Sequence, residues 1–176
     1  MLSTLFRRAA NRKVIDRIHG EIVAAARDRH LFTDYGIADT LDGRFESIVL
    51  HGAFVVRRLQ ALPAPGPDVA QDVTEALFRH LDVALREMGV GDTSVAKHMK
   101  SMAEAFLGRA RAYYEAFGTD GPALAAALAR NVYGGKQDAE RLARYVTALE
   151  SRLAGLPLER FLEGPIPFPK PAELGR

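Results

Sequence analysis

Apolar residues recur at steps of three and four along almost the whole chain, and strand-like alternation is scarce. That period lines successive apolar side chains along one face of an α-helix, so the pattern predicts an all-α protein. The first segment, Leu2 to about Arg29, carries Leu5, Ile15, Ile18 and Ile22 with Gly20 inside and predicts one or two helices. From His30 to Asp42 aromatics mix with turn formers and no helical period survives, so the stretch reads as an ordered loop anchored by Phe32 and Tyr35. A helix from about Gly43 to Leu62 places Phe45, Val49, Phe54 and Val55 inside, and the prolines at 63, 65 and 67 stop it because proline cannot donate to the helical ladder. The next helix starts near Asp68 and carries Val69, Val73, Leu77, Leu81, Leu85 and Met88 as one stripe.

After Met88 the pattern turns a corner. Gly89 suits the left-handed position that closes a helix, Val90 packs back on the last turn as in a Schellman ending, and Gly91 lets the chain reverse. Asp92 or Ser94 then caps a new helix with Val95, Met99, Met102, Phe106, Tyr113 and Phe117 on one side and Lys97, Lys100, Glu104 and Arg111 on the other. This is the corner of a central helical hairpin. The run Gly134 to Lys136 reads as a helix break, followed by a helix from about Gln137 to Leu153 and a turn at Leu156-Pro157. Prolines at 165, 167, 169 and 171 predict an extended tail, and Ile166 and Phe168 favour its docking. The expectation is a single helical domain over residues 1–163, of about six to eight helices, with a Pro-rich extended tail over 164–176.

Composition narrows the classes of function. With 176 residues, 48% of them hydrophobic, the chain can build one core of ordinary size. A formal charge of +2 leaves too weak an electrostatic footprint for a dedicated nucleic-acid binder. There is no cysteine, hence no disulfide, thiolate nucleophile or thiolate metal site. No apolar run approaches the roughly 18 residues that cross a bilayer. The start is basic: Arg7, Arg8, Arg12 and Lys13 precede the first acid, Asp16, beside an apolar edge of Leu2, Leu5 and Phe6. Such a start fits a membrane-surface helix, and a frayed terminus with solvated arginines explains it more simply.

Candidate chemistry is sparse. The histidines (His19, His30, His51, His80 and His98) form neither an H-E-x-x-H pair nor the paired E-x-x-H of a helical di-iron site, so no metal is expected. Gly89 and Gly91 match neither a phosphate loop nor a dinucleotide fingerprint, and the Gly-Gly-Lys at 134–136 lacks the first glycine and the Ser/Thr of a phosphate loop. No cofactor is expected. Asp39, Asp42 and Glu46 cluster around a glycine near His51, an arrangement open to acid-base chemistry or simply to helix capping.

Three runs carry a resemblance: Leu85 to Ala116 (LREMGVGDTSVAKHMKSMAEAFLGRARAYYEA), Gly36 to His51 (GIADTLDGRFESIVLH) and Ala127 to Tyr133 (ALARNVY). Together they resemble the ubiquinol-cytochrome c chaperone family, helical assembly factors of the cytochrome bc complex. The resemblance implies a chaperone rather than an enzyme, with newly made cytochrome b or a related membrane protein as client and a small helical co-chaperone as a further partner. It implies a bacterial member at the cytoplasmic face of the membrane; the basic start keeps a mitochondrial matrix protein as the alternative. Matching residues include Asp39, Asp42, Gly43, Arg44, Phe45 and His51 in one block and Arg86, Glu87, Gly89, Gly91, Asp92, Lys97, Lys100, Phe106, Gly108 and Arg109 in the other. The chain departs from the family at Leu107, where an aromatic is usual, and at His80, where an acid is usual.

The cytoplasmic side of a membrane protein is basic. Asp39, Asp42, Glu87 and Asp92 are therefore expected to meet the client. Lys97, Lys100 and Arg109 are expected to meet lipid phosphate or client acids, with Arg44 and Arg86 in the same charge-rich region, and Arg7, Arg8, Arg12 and Lys13 to touch the membrane surface. Two competing readings are a small enzyme using Asp39, Asp42 and His51, and a peripheral membrane-surface module. An enzyme requires a closed pocket around a perturbed carboxylate, and a chaperone requires an open apolar groove rimmed by charge.

Overall fold

The first apolar stripe forms one continuous helix, α1 (Leu2–Ala26), in the computed structural model, which describes residues 2–117 and 121–174 and the side chains of 11–117 and 122–174. Ile15, Ile18 and Ile22 are buried, whereas Gly20 faces open space, where its missing side chain costs no packing. The Ser47 hydroxyl donates to the Ala26 carbonyl at 2.7 Å, supplying an acceptor at the helix end with a partner. The expected loop after it departs from the reading at its start: Arg29–Thr33 form a one-turn helix, α2, because the Asp28 carboxylate accepts the His30 amide at 2.9 Å and caps it. Tyr35 is buried, as an anchor should be.

Helix α3 (Leu41–Gln60) begins two residues before Gly43 because Thr40 is its cap, accepting the Gly43 amide at 3.2 Å. Asp42 falls instead in the first turn, where its charge complements the positive end of the helix. Gly43 is obligatory: a Cβ there would lie 1.9 Å from the Ala38 carbonyl oxygen. From Phe45 to Val56 every residue is buried, so α3 is the axis of the molecule, with α1, α4 (Gly66–Glu87), α5 (Asp92–Phe117), α6 (Gly121–Tyr133) and α7 (Glu140–Ala154) packed on it. The four residues named from the pattern, Phe45, Val49, Phe54 and Val55, are among them.

Helix α4 runs antiparallel to α3, with Gly66 against Leu59 and Gly52 against Leu77, a register that brings Glu87 to the end of the bundle that holds Asp42. Helix α5 returns along α4 and crosses α3. Phe106 meets the Phe78 ring at 5.6 Å, and Phe54 sits edge-on between Tyr114 at 5.8 Å and Phe117 at 5.4 Å. Each such edge-to-face pair adds about 0.5–1.5 kcal/mol beyond burial. Gly134 and Gly135, with φ of 60° and 75°, end α6 as the sequence break requires.

A short α8 (Leu158–Glu163) leads into the tail. Residues 164–170 form neither helix nor strand and include a tight turn in which the Phe168 amide donates to the Ile166 carbonyl at 2.8 Å; 171–174 form a last turn, α9 (Pro171–Leu174), a departure from the extended tail that begins at a proline, whose fixed φ suits the first helical position. Arg17 donates to the Phe161 carbonyl and, at 2.8 Å, to that of Gly164; Glu21 accepts the Ile166 amide at 2.7 Å. Tyr35 donates to the Pro171 carbonyl at 3.0 Å. With Ile166, Pro169 and Pro171 buried, the tail is a docked strap. Among the described residues there is no strand, and no helix is long and apolar enough to cross a membrane.

Candidate functional site

The corner between α4 and α5 closes as a Schellman motif: Gly89 has φ 81°, its amide donates to Arg86 at 2.9 Å, and the Val90 amide donates to Leu85 at 3.2 Å. Asp92 is the first helical residue of α5 and pairs with Arg86, which also meets Asp82 at 2.8 Å. Leu85 and Val95, on either side of the corner, are each 1% exposed. Around it Glu87, Lys97 and Lys100 are exposed.

Two more of the expected residues pair at the start of α3, where Arg44 donates to Asp39 at 2.7 Å and holds that carboxyl below its ordinary range. Asp42 is exposed beside them. By the α3–α4 register, this cluster and the hairpin corner occupy the same end of the bundle. Arg109 is different. Its guanidinium grips Glu46 through two bonds of 2.6 and 2.5 Å and lies 5.7 Å from the Phe45 ring. Glu46 is 5% exposed; burial pushes its carboxyl up, and Arg109 opposes the push. Arg109 thus already serves as counter-ion to a buried acid, a structural task that its place on α5 did not disclose. Arg12 and Lys13 are exposed on α1, whereas the side chains of Arg7 and Arg8 lie outside the described residues.

The neighbourhood considered for acid-base chemistry is not assembled. His51 is fully buried, nine residues or about 13 Å along α3 from exposed Asp42. Its Nδ1 lies 2.8 Å from the Ser47 carbonyl, which can only accept, so Nδ1 carries the proton and Nε2 accepts from the Tyr145 hydroxyl at 2.7 Å. Burial pushes this imidazole down to about 4, and it stays neutral. Among the described residues no group of three His, Cys, Asp or Glu side chains is placed to hold a metal.

A concave feature lies elsewhere. Between the end of α5, α6 and the start of α7 opens a groove of 820 Å³. Alanine is the commonest residue of its walls, with Ala125 and Ala129 on α6, Ala143 on α7 and Ala139 just before α7, and Phe117 and Leu124 add larger apolar surface. Asp138, Glu140 and Arg144 provide its charges. None of the nine residues expected at the partner surface lines it; alanines in a helical pattern read as ordinary helix formers, and only the meeting of α6 and α7 hollows them into a groove.

A family model described as ubiquinol-cytochrome c chaperone matches residues 33–168, which covers α3 to α8. The chain belongs to the ubiquinol-cytochrome c chaperone family. It is 34% identical to the crystallised Cbp3 homologue from Brucella abortus, with a TM-score of 0.87 over 98% of this chain and 99% of that one. It is 27% identical over 151 residues to the Saccharomyces cerevisiae protein CBP3, mitochondrial, covering 81% of this chain and 45% of that protein. The chain thus spans about half the length of that curated relative. The two positions expected to depart from the family pattern are at helix surfaces: Leu107 is 68% exposed on α5, and half-buried His80 has its Nε2 3.3 Å from Arg27 and its ring 5.1 Å from that of His19.

Proposed function

We propose that this protein is an assembly chaperone of the cytochrome bc complex that holds newly made cytochrome b while partners and haem join it, and that it works by lending surface rather than by transforming a bond. The observation that carries the reading is the open, alanine-walled groove of 820 Å³ with charge at its rim, found in a member of this chaperone family. Such a surface suits a client whose apolar segments need cover before they reach their final partners. The charged end of the bundle, with Asp39, Asp42, Arg44, Arg86, Glu87, Asp92, Lys97 and Lys100, supplies a second, polar face for basic client loops and for lipid phosphate. The engaged His51 and the exposed, separated Asp39 and Asp42 weigh against the enzyme reading.

The test is deletion of the gene followed by difference spectra of membrane cytochromes. A selective fall of the b-type signal of the bc complex, restored by the gene in trans, is expected. Unchanged b and c spectra would overturn the proposal.

A further inference from the structure

Resting on the chaperone reading, we infer that the groove between α6 and α7 receives the cytoplasmic end of an apolar client helix, about two turns long and followed by lysine or arginine. The dimensions argue for an end rather than a whole span. Along α7 the groove extends from Ala139 to Thr147, eight residues or about 12 Å, whereas a helix crossing a bilayer carries about 30 Å of apolar length. Two turns of such a helix fit; the remainder lies beyond the groove.

The walls argue for a helix. Ala125 and Ala129 are spaced by four on α6, and Ala143 and Thr147 by four on α7, with Ala139 at the residue before it, so each wall presents short side chains along one helical ridge. Backbones can approach closely across such ridges, and the volume left over accepts the larger side chains of an incoming apolar helix.

The charges set the direction. Asp138 and Glu140 are exposed at the α7 start of the groove, and Arg144 stands one turn further along. A cation of the occupant is favoured beside the two acids and disfavoured beside Arg144. The occupant's basic flank therefore lies at Asp138 and Glu140, and its apolar turns run toward Thr147. Anionic lipid is a poorer fit, because its phosphate would sit beside the same two acids. Cytoplasmic flanks of membrane helices are rich in Lys and Arg, so the two acids match the end that a chaperone at that face would meet first.

The experiment uses the full chain and two labelled synthetic peptides with one leucine-alanine helical core, one flanked by lysines and the other by glutamates. Fluorescence anisotropy is expected to show at least tenfold tighter binding of the lysine-flanked peptide. The charge-reversing double variant Asp138→Lys, Glu140→Lys should invert that preference. Ala126→Trp, which adds bulk at an exposed position of the wall, should weaken binding of the lysine-flanked peptide at least tenfold while the melting temperature stays unchanged. Equal binding of the two peptides, or binding indifferent to Ala126→Trp, overturns the inference, as does preferential binding of phosphatidylglycerol vesicles through the same residues. In cells, a strain carrying Ala126→Trp should lose the b-type signal as the deletion strain does. A full signal with Ala126→Trp but loss on deletion overturns the groove's occupant and leaves the chaperone reading standing. A full signal on deletion overturns the reading on which the inference rests.

Discussion

Acid should weaken this fold through His51. The perturbation is a fall from pH 7.5 to pH 5. In the unfolded chain the imidazole has its ordinary value of 6.5, whereas burial in α3 pushes it down to about 4. The depressed group contributes stability that is complete above 6.5 and is lost as pH falls toward 4, because the unfolded chain binds a proton that the folded one refuses. At about 1.4 kcal/mol per pKa unit the full gap is about 3 kcal/mol, of which about 2 is lost by pH 5. Urea unfolding followed by circular dichroism at 222 nm at several pH values measures the slope. His19 and His80 are also held below their ordinary value, chiefly by burial, and act in the same direction, so the informative quantity is the difference between the wild type and His51→Gln. The variant should lose about 1–3 kcal/mol at pH 7.5, since glutamine serves Ser47 and Tyr145 less well, yet it should lose about 2 kcal/mol less than the wild type on acidification. An equal pH slope in both proteins, or an NMR titration of His51 with a midpoint near 6.5, would refute the reasoning.

Removing Arg109 by Arg109→Ala leaves Glu46 buried without its counter-ion and should cost about 3 kcal/mol in urea unfolding, whereas the double variant Glu46→Gln, Arg109→Met should recover at least half of that. A double variant as unstable as the single one would show that the charges are not the cause. Gly43→Ala drives a methyl into the Ala38 carbonyl and should cost more than about 2 kcal/mol, while Gly89→Ala meets open space and pays only for its left-handed backbone, about 1 kcal/mol; thermal melts should rank them in that order.

The corner between α4 and α5 and the start of α3 show how far local reading reaches. The corner at Gly89 was legible down to its hydrogen bonds, because a Schellman ending is written within six residues, a glycine and an apolar residue after the last turn; the stripe before it stops at Leu85, since Met88, expected to extend it, is 52% exposed at the helix end. The start of α3 was misplaced by two residues because Thr40, Asp39 and Asp42 all qualify as caps, and the choice depends on how Ala38 packs against Gly43. Of the residues expected to meet a partner, Asp39, Arg44, Arg86 and Asp92 lie exposed in ion pairs with one another, whereas Arg109, which looked no different from them in the sequence, is taken up by buried Glu46.

By itself the sequence determined the helical class, the stripe of α4, the corner at Gly89 and the break at Gly134, since each follows from residues within two turns of one another. Tertiary structure alone decided that α3 would be buried on every side from Phe45 to Val56, that Glu46 would meet Arg109 from 63 positions away and His51 meet Tyr145 from 94, and that the alanines of α6 would line a groove with Ala139 and Ala143. Periodicity records which face of a helix avoids water. It carries no record of which other helix will cover that face, and the buried ion pair, the neutral histidine and the groove all arise from that pairing.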